Sequence, residues 1–317
     1  MKKIIRGLAA LLFAAGFAML AYPLLGELRQ EAENRQMIQA FEQKKTAGED
    51  GAGTISGLES SDSSDDNNGL PYADLLERMQ TYNENIYEEK QTSLCDAFSY
   101  QQNVFNFQSY GIYEDMIGYI KIDAMNIEVP LYIGANEENL RKAAVVLSQT
   151  SMPVGGENTN CVIAAHRGGY NGQAMFRDIE VLKQGDIIEI TNLWETLQYE
   201  VAKCIVITPD DIDAVKIIPG QDMVTLVTCH PYGNNYQRYV VYCTRVQDDG
   251  AADGKALTQA AQEIPFDGID YESSSEQIQM EVMMNRIGLI AFGGIALILI
   301  AGLGIGAVRR KKRKKSS

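Results

Sequence analysis

Apolar positions fall along this chain in three textures. At residues 7–26 (GLAALLFAAGFAMLAYPLLG) and 287–308 (IGLIAFGGIALILIAGLGIGAV) they run for 20 and 22 residues without a charge. A bilayer core about 30 Å thick takes roughly 20 apolar residues of helix, so both runs predict membrane-spanning helices. At residues 70–100 the spacing changes to three or four: Leu75, Leu76, Met79 and Tyr82 share a side behind Pro71, which predicts an amphipathic helix. Between 117 and 246 the apolar residues come in short β-branched runs at 117–122, 127–133, 161–165, 186–191, 199–208, 225–229 and 239–246. Gly, Asn or Pro turns part them. Seven strands with brief helical pieces between them predict a mainly β fold, a closed or nearly closed barrel, and not a parallel α/β sheet.

The polar stretches divide the rest. Residues 27–45 are charged and able to continue the first helix. Residues 46–69 (TAGEDGAGTISGLESSDSSDDNNG) hold few large apolar groups. Such a stretch cannot bury enough surface to offset its ordering entropy, so 27–69 reads as a flexible linker. The predicted order is a tip and anchor at 1–26, the linker at 27–69, a helical extension at 70–110 and the barrel at 111–247. A juxtamembrane segment at 248–286, the second membrane helix at 287–308 and a basic tail at 309–317 complete it.

Charge adds the topology. The chain of 317 residues carries 28 Lys+Arg and 42 Asp+Glu, a net −14. Ten of the basic residues sit at the two ends, in MKKIIR and RRKKRKK, and no acid accompanies them, so the middle carries −24. Basic flanks stay inside, which places both termini in the cytoplasm and the acidic middle on the extracellular face of the cell membrane. The alternative for the first run is a cleaved secretory signal; Tyr22-Pro23 breaks the small-residue cleavage pattern, and the run is long for one. Either way the middle is exported. An acidic middle excludes a polybasic nucleic-acid binder, and 45% hydrophobic content excludes a wholly disordered chain.

Few residues carry chemistry. The histidines are His166 and His230; the cysteines are Cys95, Cys161, Cys204, Cys229 and Cys243. There is no CxxC, no HExxH, no GxSxG and no phosphate loop. A Cys/His arrangement remains. TLVTC ends an apolar strand on Cys229 and passes into HPYG, a turn sequence; VIAAH ends another on His166, followed by Arg-Gly-Gly. A nearby imidazole activates a thiol, either by lowering its pKa or by taking its proton. Arg238 opens the run after Cys229, where a hairpin return sets a guanidinium beside the cysteine to stabilise an oxyanion. His230 adjoins Cys229, but consecutive strand residues point to opposite faces, so only its backbone N–H is assigned to the site.

TLVTC followed nine residues later by Arg resembles the TLxTC…R signature of the sortases, membrane-anchored cysteine transpeptidases of Gram-positive bacteria. IGYIKI at 117–122, PLYIG at 130–134, TSMPVGG at 150–156, His166-Arg-Gly, LKQGD at 182–186 and CHPYG at 229–233 fall in the same family order. The PYG after the cysteine, the C-terminal apolar run with its basic tail and the helical extension are similar to class C, the pilus-polymerising sortases. That class carries an Asp-Pro-Phe/Trp lid, which Asp96-Ala97-Phe98 resembles with Ala in place of Pro; Asp96 then pairs with Arg238, and Phe98 covers Cys229 and His166. The other departures are His230 where Thr is common and Ala165 where Gly often precedes the histidine. The resemblance implies cleavage of an LPxTG-like sorting signal through a thioacyl enzyme and transfer to an amine, a pilin lysine or a cell-wall crossbridge. It implies no metal or organic cofactor. Housekeeping anchoring of surface proteins, or a sortase-fold scaffold without turnover, stand as alternatives. The four other cysteines read as buried hydrophobes or one optional disulfide.

Overall fold

The computed structural model describes residues 2–50, 71–99, 104–105, 107–110, 115–168, 174–246 and 260–315; the side chains of 2–6, 8–10, 12, 20, 23–24, 47–50, 108 and 296–315 are excepted. The chain divides into two compact units. One holds α1 (Lys2–Asp50) as far as Arg29, together with α4 (Ser275–Lys315). Within it the Phe13 and Phe292 rings lie 5.1 Å apart. Gly16 faces Phe292 so closely that a Cβ would come within 3.1 Å of it. Among the described residues no helix is long and apolar enough to cross a membrane. Parts of both predicted spans fall among the excepted side chains.

The other unit is a closed eight-stranded barrel with its N-terminal supports. The strands are β1 (Met116–Ile122), β2 (Ile127–Ile133), β3 (Ala144–Val146), β4 (Thr159–Ala164), β5 (Ile187–Asn192), β6 (Thr196–Ile207), β7 (Asp222–His230) and β8 (Gln237–Arg245). They close in the order β1-β2-β3-β4-β7-β8-β6-β5. Seven match the apolar runs in the sequence. The eighth, β3, has three residues between α3 (Glu137–Lys142) and Leu147, too few to show a period. β4 and β7 pair in parallel and are buried on both faces almost throughout, which is why their sequences, TNCVIA and DMVTLVTCH, run nearly without polar alternation. The barrel closes where Gly118 of β1 meets β5: a Cβ there would lie 1.9 Å from the Thr191 carbonyl oxygen, so only glycine fits.

The expected linker begins as ordered helix. α1 continues to Asp50, and its Asn34, Ile38 and Phe41 are buried. Asn34 Nδ2 donates to the Glu128 carbonyl at 3.4 Å, Lys45 Nζ to the Asn192 carbonyl at 3.1 Å, and Phe41 packs edge-on against Tyr119. Charge masked the reading, because the three buried positions are spaced by four and three among exposed polar neighbours. Residues 51–69 lie outside the described residues.

α2 (Ala73–Glu88) buries Leu75, Met79 and Asn83. Asn83 accepts from the Met152 N–H at 2.6 Å and donates to the Met152 carbonyl at 3.3 Å, and Tyr82 Oη donates to the Ser148 carbonyl. Trp194 Nε1 donates to the Pro71 carbonyl at 2.7 Å. The segment after the barrel also returns to it. Ile264 is buried, Lys203 Nζ pairs with Asp267 at 3.1 Å, and the Ile269 N–H donates to the Val206 carbonyl at 2.8 Å.

Candidate active site

The site lies where β4, β7 and β8 end together. β4 and β7 run in register, Ala164 beside Val227, and the Ala165 N–H donates to the Val227 carbonyl at 3.2 Å. Continuing that register by two residues sets His166 level with Cys229. Thr228, buried on the opposite face from Cys229, locks the pair by donating its hydroxyl to the Ala165 carbonyl at 2.7 Å. β8 returns antiparallel, and its Arg238 pairs directly across from Cys229. Rigid strand ends thus hold a thiol, an imidazole and a guanidinium at one rim.

The Asp96-Ala97-Phe98 turn lies against Arg238 and His166, and its Asp96 carboxylate is close enough to act on the Cys229 thiol. Asp96 accepts from Arg238 Nε and Nη2, each at 2.8 Å, a bidentate pair. Arg238 Nη1 donates to the carbonyls of Asn235 and Gln237, at 3.1 and 2.9 Å. The Phe98 ring stacks on His166 with centroids 5.9 Å apart and 24° between planes. The guanidinium carbon of Arg238 stands 5.1 Å from the centre of the same ring. Ala97, in the middle, is buried. The space beneath the turn is lined by the apolar side chains of Leu147, Val162, Ile207, Val215 and Val227.

Burial sets the charge state. It pushes the Cys229 thiol above its ordinary range; the Arg238 cation pulls it back, the Asp96 carboxylate raises it again, and Arg167 lowers it. Burial also pushes the His166 imidazole down. Both shifts favour the uncharged forms, so at neutral pH the covered site rests as thiol and imidazole, not as an ion pair.

His230 takes no part at this face. Its ring is fully buried on the other side of β7, with Arg167 Nη1 at Nδ1 and the Glu180 carboxylate 3.4 Å away. The sequence reading missed Arg167 and Glu180. Arg167 follows His166 in the His-Arg-Gly motif and was visible there only as part of a pattern; Glu180 lies in a short 3-10 turn with nothing local to mark it.

The other four thiols differ from Cys229. None of the five cysteines forms a disulfide, so the expected optional bridge is not made. Burial pushes the thiols of Cys161 and Cys243 far up, and that of Cys204 up to about 11, so these are inert packing groups. Cys95, in the covering turn, donates to Gln149 Oε1 at 3.3 Å.

Comparison with known proteins agrees with this geometry. Residues 120–246 match the sortase domain family. The chain is similar to Sortase A of Bacillus anthracis, 28% identical over 182 residues, covering 55% of this chain and 84% of the relative. Among solved structures it is similar to Sortase C1 of Streptococcus agalactiae, at 34% identity and a TM-score of 0.51, covering 55% of this chain and 89% of that one. It is also similar to Streptococcus pneumoniae Sortase C, at 28% identity and a TM-score of 0.52, covering 67% of this chain and 97% of that one. The family acts on LPxTG-like protein signals and amine nucleophiles. With its closed eight-stranded barrel and a cysteine at the rim, this chain belongs to the sortase family of cysteine transpeptidases.

Proposed function

We propose that this sortase joins pilin subunits, with Cys229 as nucleophile, His166 as general acid and base, and Arg238 as oxyanion stabiliser. Cys229 Sγ attacks the Thr–Gly carbonyl of the sorting signal while its proton passes to His166. The tetrahedral oxyanion is met by the Arg238 guanidinium and by backbone N–H, that of His230 included. The imidazolium then gives its proton to the departing glycine amine, the C–N bond breaks, and a thioester remains. An incoming lysine amine attacks the thioester and loses its proton to His166, which returns it to the sulfur. No proton is left over.

The observation that carries the pilus reading is the cover on the site. Asp96 holds both forward nitrogens of the guanidinium that the oxyanion needs, and Phe98 lies on the imidazole that the leaving amine needs. In that state neither group can serve, so the turn works as a lid that must leave before a signal enters. The apolar floor beneath it suits the aliphatic residues of the signal. A lid of this kind is the feature that resembles class C over housekeeping sortases. The structural relatives point the same way: the work on the Streptococcus pneumoniae protein concerns pilin substrate specificity.

The uninterrupted apolar runs at 7–26 and 287–308, with basic residues clustered at the outer ends, support anchoring in the cell membrane with both termini cytoplasmic and the barrel outside. The test of the amine is direct. The lid-opened chain, given an LPxTG peptide and either a pilin domain with a surface lysine or a crossbridge peptide, joins the signal to the pilin lysine. Transfer to the crossbridge peptide alone returns the anchoring role.

A further inference from the structure

Behind the site a second group of polar side chains repeats its layout. His166 is followed by Arg167 and Cys229 by His230, and these two followers meet on the far side of the strands. Arg167 Nη2 donates to Glu180 Oε1, Arg167 Nη1 reaches His230 Nδ1, and that nitrogen lies 3.4 Å from the same carboxylate oxygen. The side chains of Arg167, Glu180 and His230 are 2%, 4% and 0% exposed. Tyr239 and Tyr271 close the cluster: Tyr271 meets the His230 ring edge-on at 5.1 Å, and Tyr239 lies at 5.8 Å.

The other oxygen of Glu180 points toward the segment that follows the barrel. Ser273 Oγ donates to it, and the Ser274 N–H donates to both oxygens at 3.0 and 3.1 Å. Ser274 Oγ in turn accepts from the Tyr232 N–H at 3.0 Å, in the turn just past Cys229. One carboxylate therefore ties the residue after the acid, the residue after the nucleophile, and the segment that runs into α4.

Three buried polar groups are a poor way to gain stability, since desolvation offsets most of what the ion pair returns. Their value lies in geometry. A one-residue lever joins Arg167 to His166 and His230 to Cys229, two groups that must lie within reach of one scissile bond, and an error of about 1 Å in such a site costs on the order of 100-fold in rate.

We propose that Glu180 is a positioning residue: through Arg167 and His230 it sets the spacing of His166 and Cys229, and through Ser273 and Ser274 it locks that spacing to the segment that leads into α4. This rests on the assignment of Cys229 and His166 above. Glu180 touches no reacting atom. It acts by holding the backbone of two strand ends that are otherwise joined by their last ladder bonds and the Thr228 hydroxyl on the Ala165 carbonyl.

The test uses the full-length chain carrying Asp96→Ala, so that the lid clamp does not mask the effect, and a quenched fluorescent LPxTG peptide. Adding Glu180→Gln, which keeps the shape and removes the charge, should lower kcat at least tenfold with KM within about threefold. Alkylation of Cys229 by a small thiol reagent, which has no need of His166, should stay within about threefold. Glu180→Asp should recover part of the loss. Ser273→Ala with Ser274→Ala leaves the Arg167–Glu180–His230 contacts in place and should lower kcat about threefold to tenfold; if Glu180→Gln does not fold, this variant and Glu180→Asp decide. A kcat within threefold of the parent, whatever the change in Tm, overturns the inference, as does a rise in KM alone. Cys229→Ala and His166→Ala run beside these. If either keeps the parent rate, or if the parent itself is inert, the assignment of the site has failed; if both are dead and Glu180→Gln is active, only the inference has.

Discussion

Breaking the clamp between Asp96 and Arg238 is the sharpest perturbation of the resting site. Two charge-assisted hydrogen bonds of 2.8 Å are lost in Asp96→Ala. A surface ion pair is worth about 0–1 kcal/mol, and removing one partner of a buried pair costs about 3–5 kcal/mol. With side chains 22% and 10% exposed, this pair falls between those limits, at about 2 kcal/mol. If the lid opens as a unit, that difference raises the open fraction about 30-fold, since each 1.36 kcal/mol is a factor of ten. The assay is alkylation of Cys229 by an uncharged thiol reagent, followed by mass spectrometry across pH. It separates two effects. The plateau rate at high pH reports access and should rise about 30-fold by the same arithmetic. The midpoint reports ionisation and should move to lower pH, because the Asp96 carboxylate raises the thiol and its removal leaves the Arg238 cation unopposed. A plateau within twofold of the parent and an unmoved midpoint would refute both the clamp and the lid.

Three further outcomes test other parts of the account. Phe98→Ala loses the stack on His166 and the contact with Arg238, together about 1 kcal/mol, so the same alkylation plateau should rise about fivefold. Gly118→Ala forces a Cβ onto the Thr191 carbonyl at the barrel seam and should cost about 3 kcal/mol, seen as a lower Tm; an unchanged Tm would mean that the seam can open without penalty. For Glu180, burial opposes ionisation, yet hydrogen bonds from His230, Ser273 and Arg167 outweigh it and hold the carboxyl well below the usual carboxylate range. A folded-state pKa below the unfolded one means that this stabilisation is fully present above about pH 4.3 and drains away as the pH falls below it. Glu180→Gln should therefore flatten the fall in stability on the acid side, measured by denaturant unfolding at stepped pH.

Much of the barrel was legible because β4, β7 and β8 are buried so thoroughly that apolar residues dominate their middles, with only small polar groups such as Thr225 and Thr228 among them. The strand-to-turn passages at Cys229 and His166 were legible for the same reason: an apolar run that stops on a reactive residue announces both its strand and its rim. β3 was not, since three residues cannot display a period. The docking of α1 was hidden by composition, as Asn34, Ile38 and Phe41 make a narrow stripe on an otherwise charged helix. Glu180, Ser273 and Ser274 were hidden by topology. Glu180 meets His230 across the barrel wall, and Ser273 and Ser274 meet Glu180 only because residues 264–274 fold back onto the barrel; no local pattern in the sequence records contacts that long.

The central claim is that Cys229 carries the acyl group. Incubating the Asp96→Ala chain with an LPxTG peptide, quenching in acid and mapping the adduct by mass spectrometry should place the acyl group on the peptide that contains Cys229, and Cys229→Ala should show neither adduct nor released glycine amine. Release of that amine at the parent rate by the Cys229→Ala chain would contradict the account.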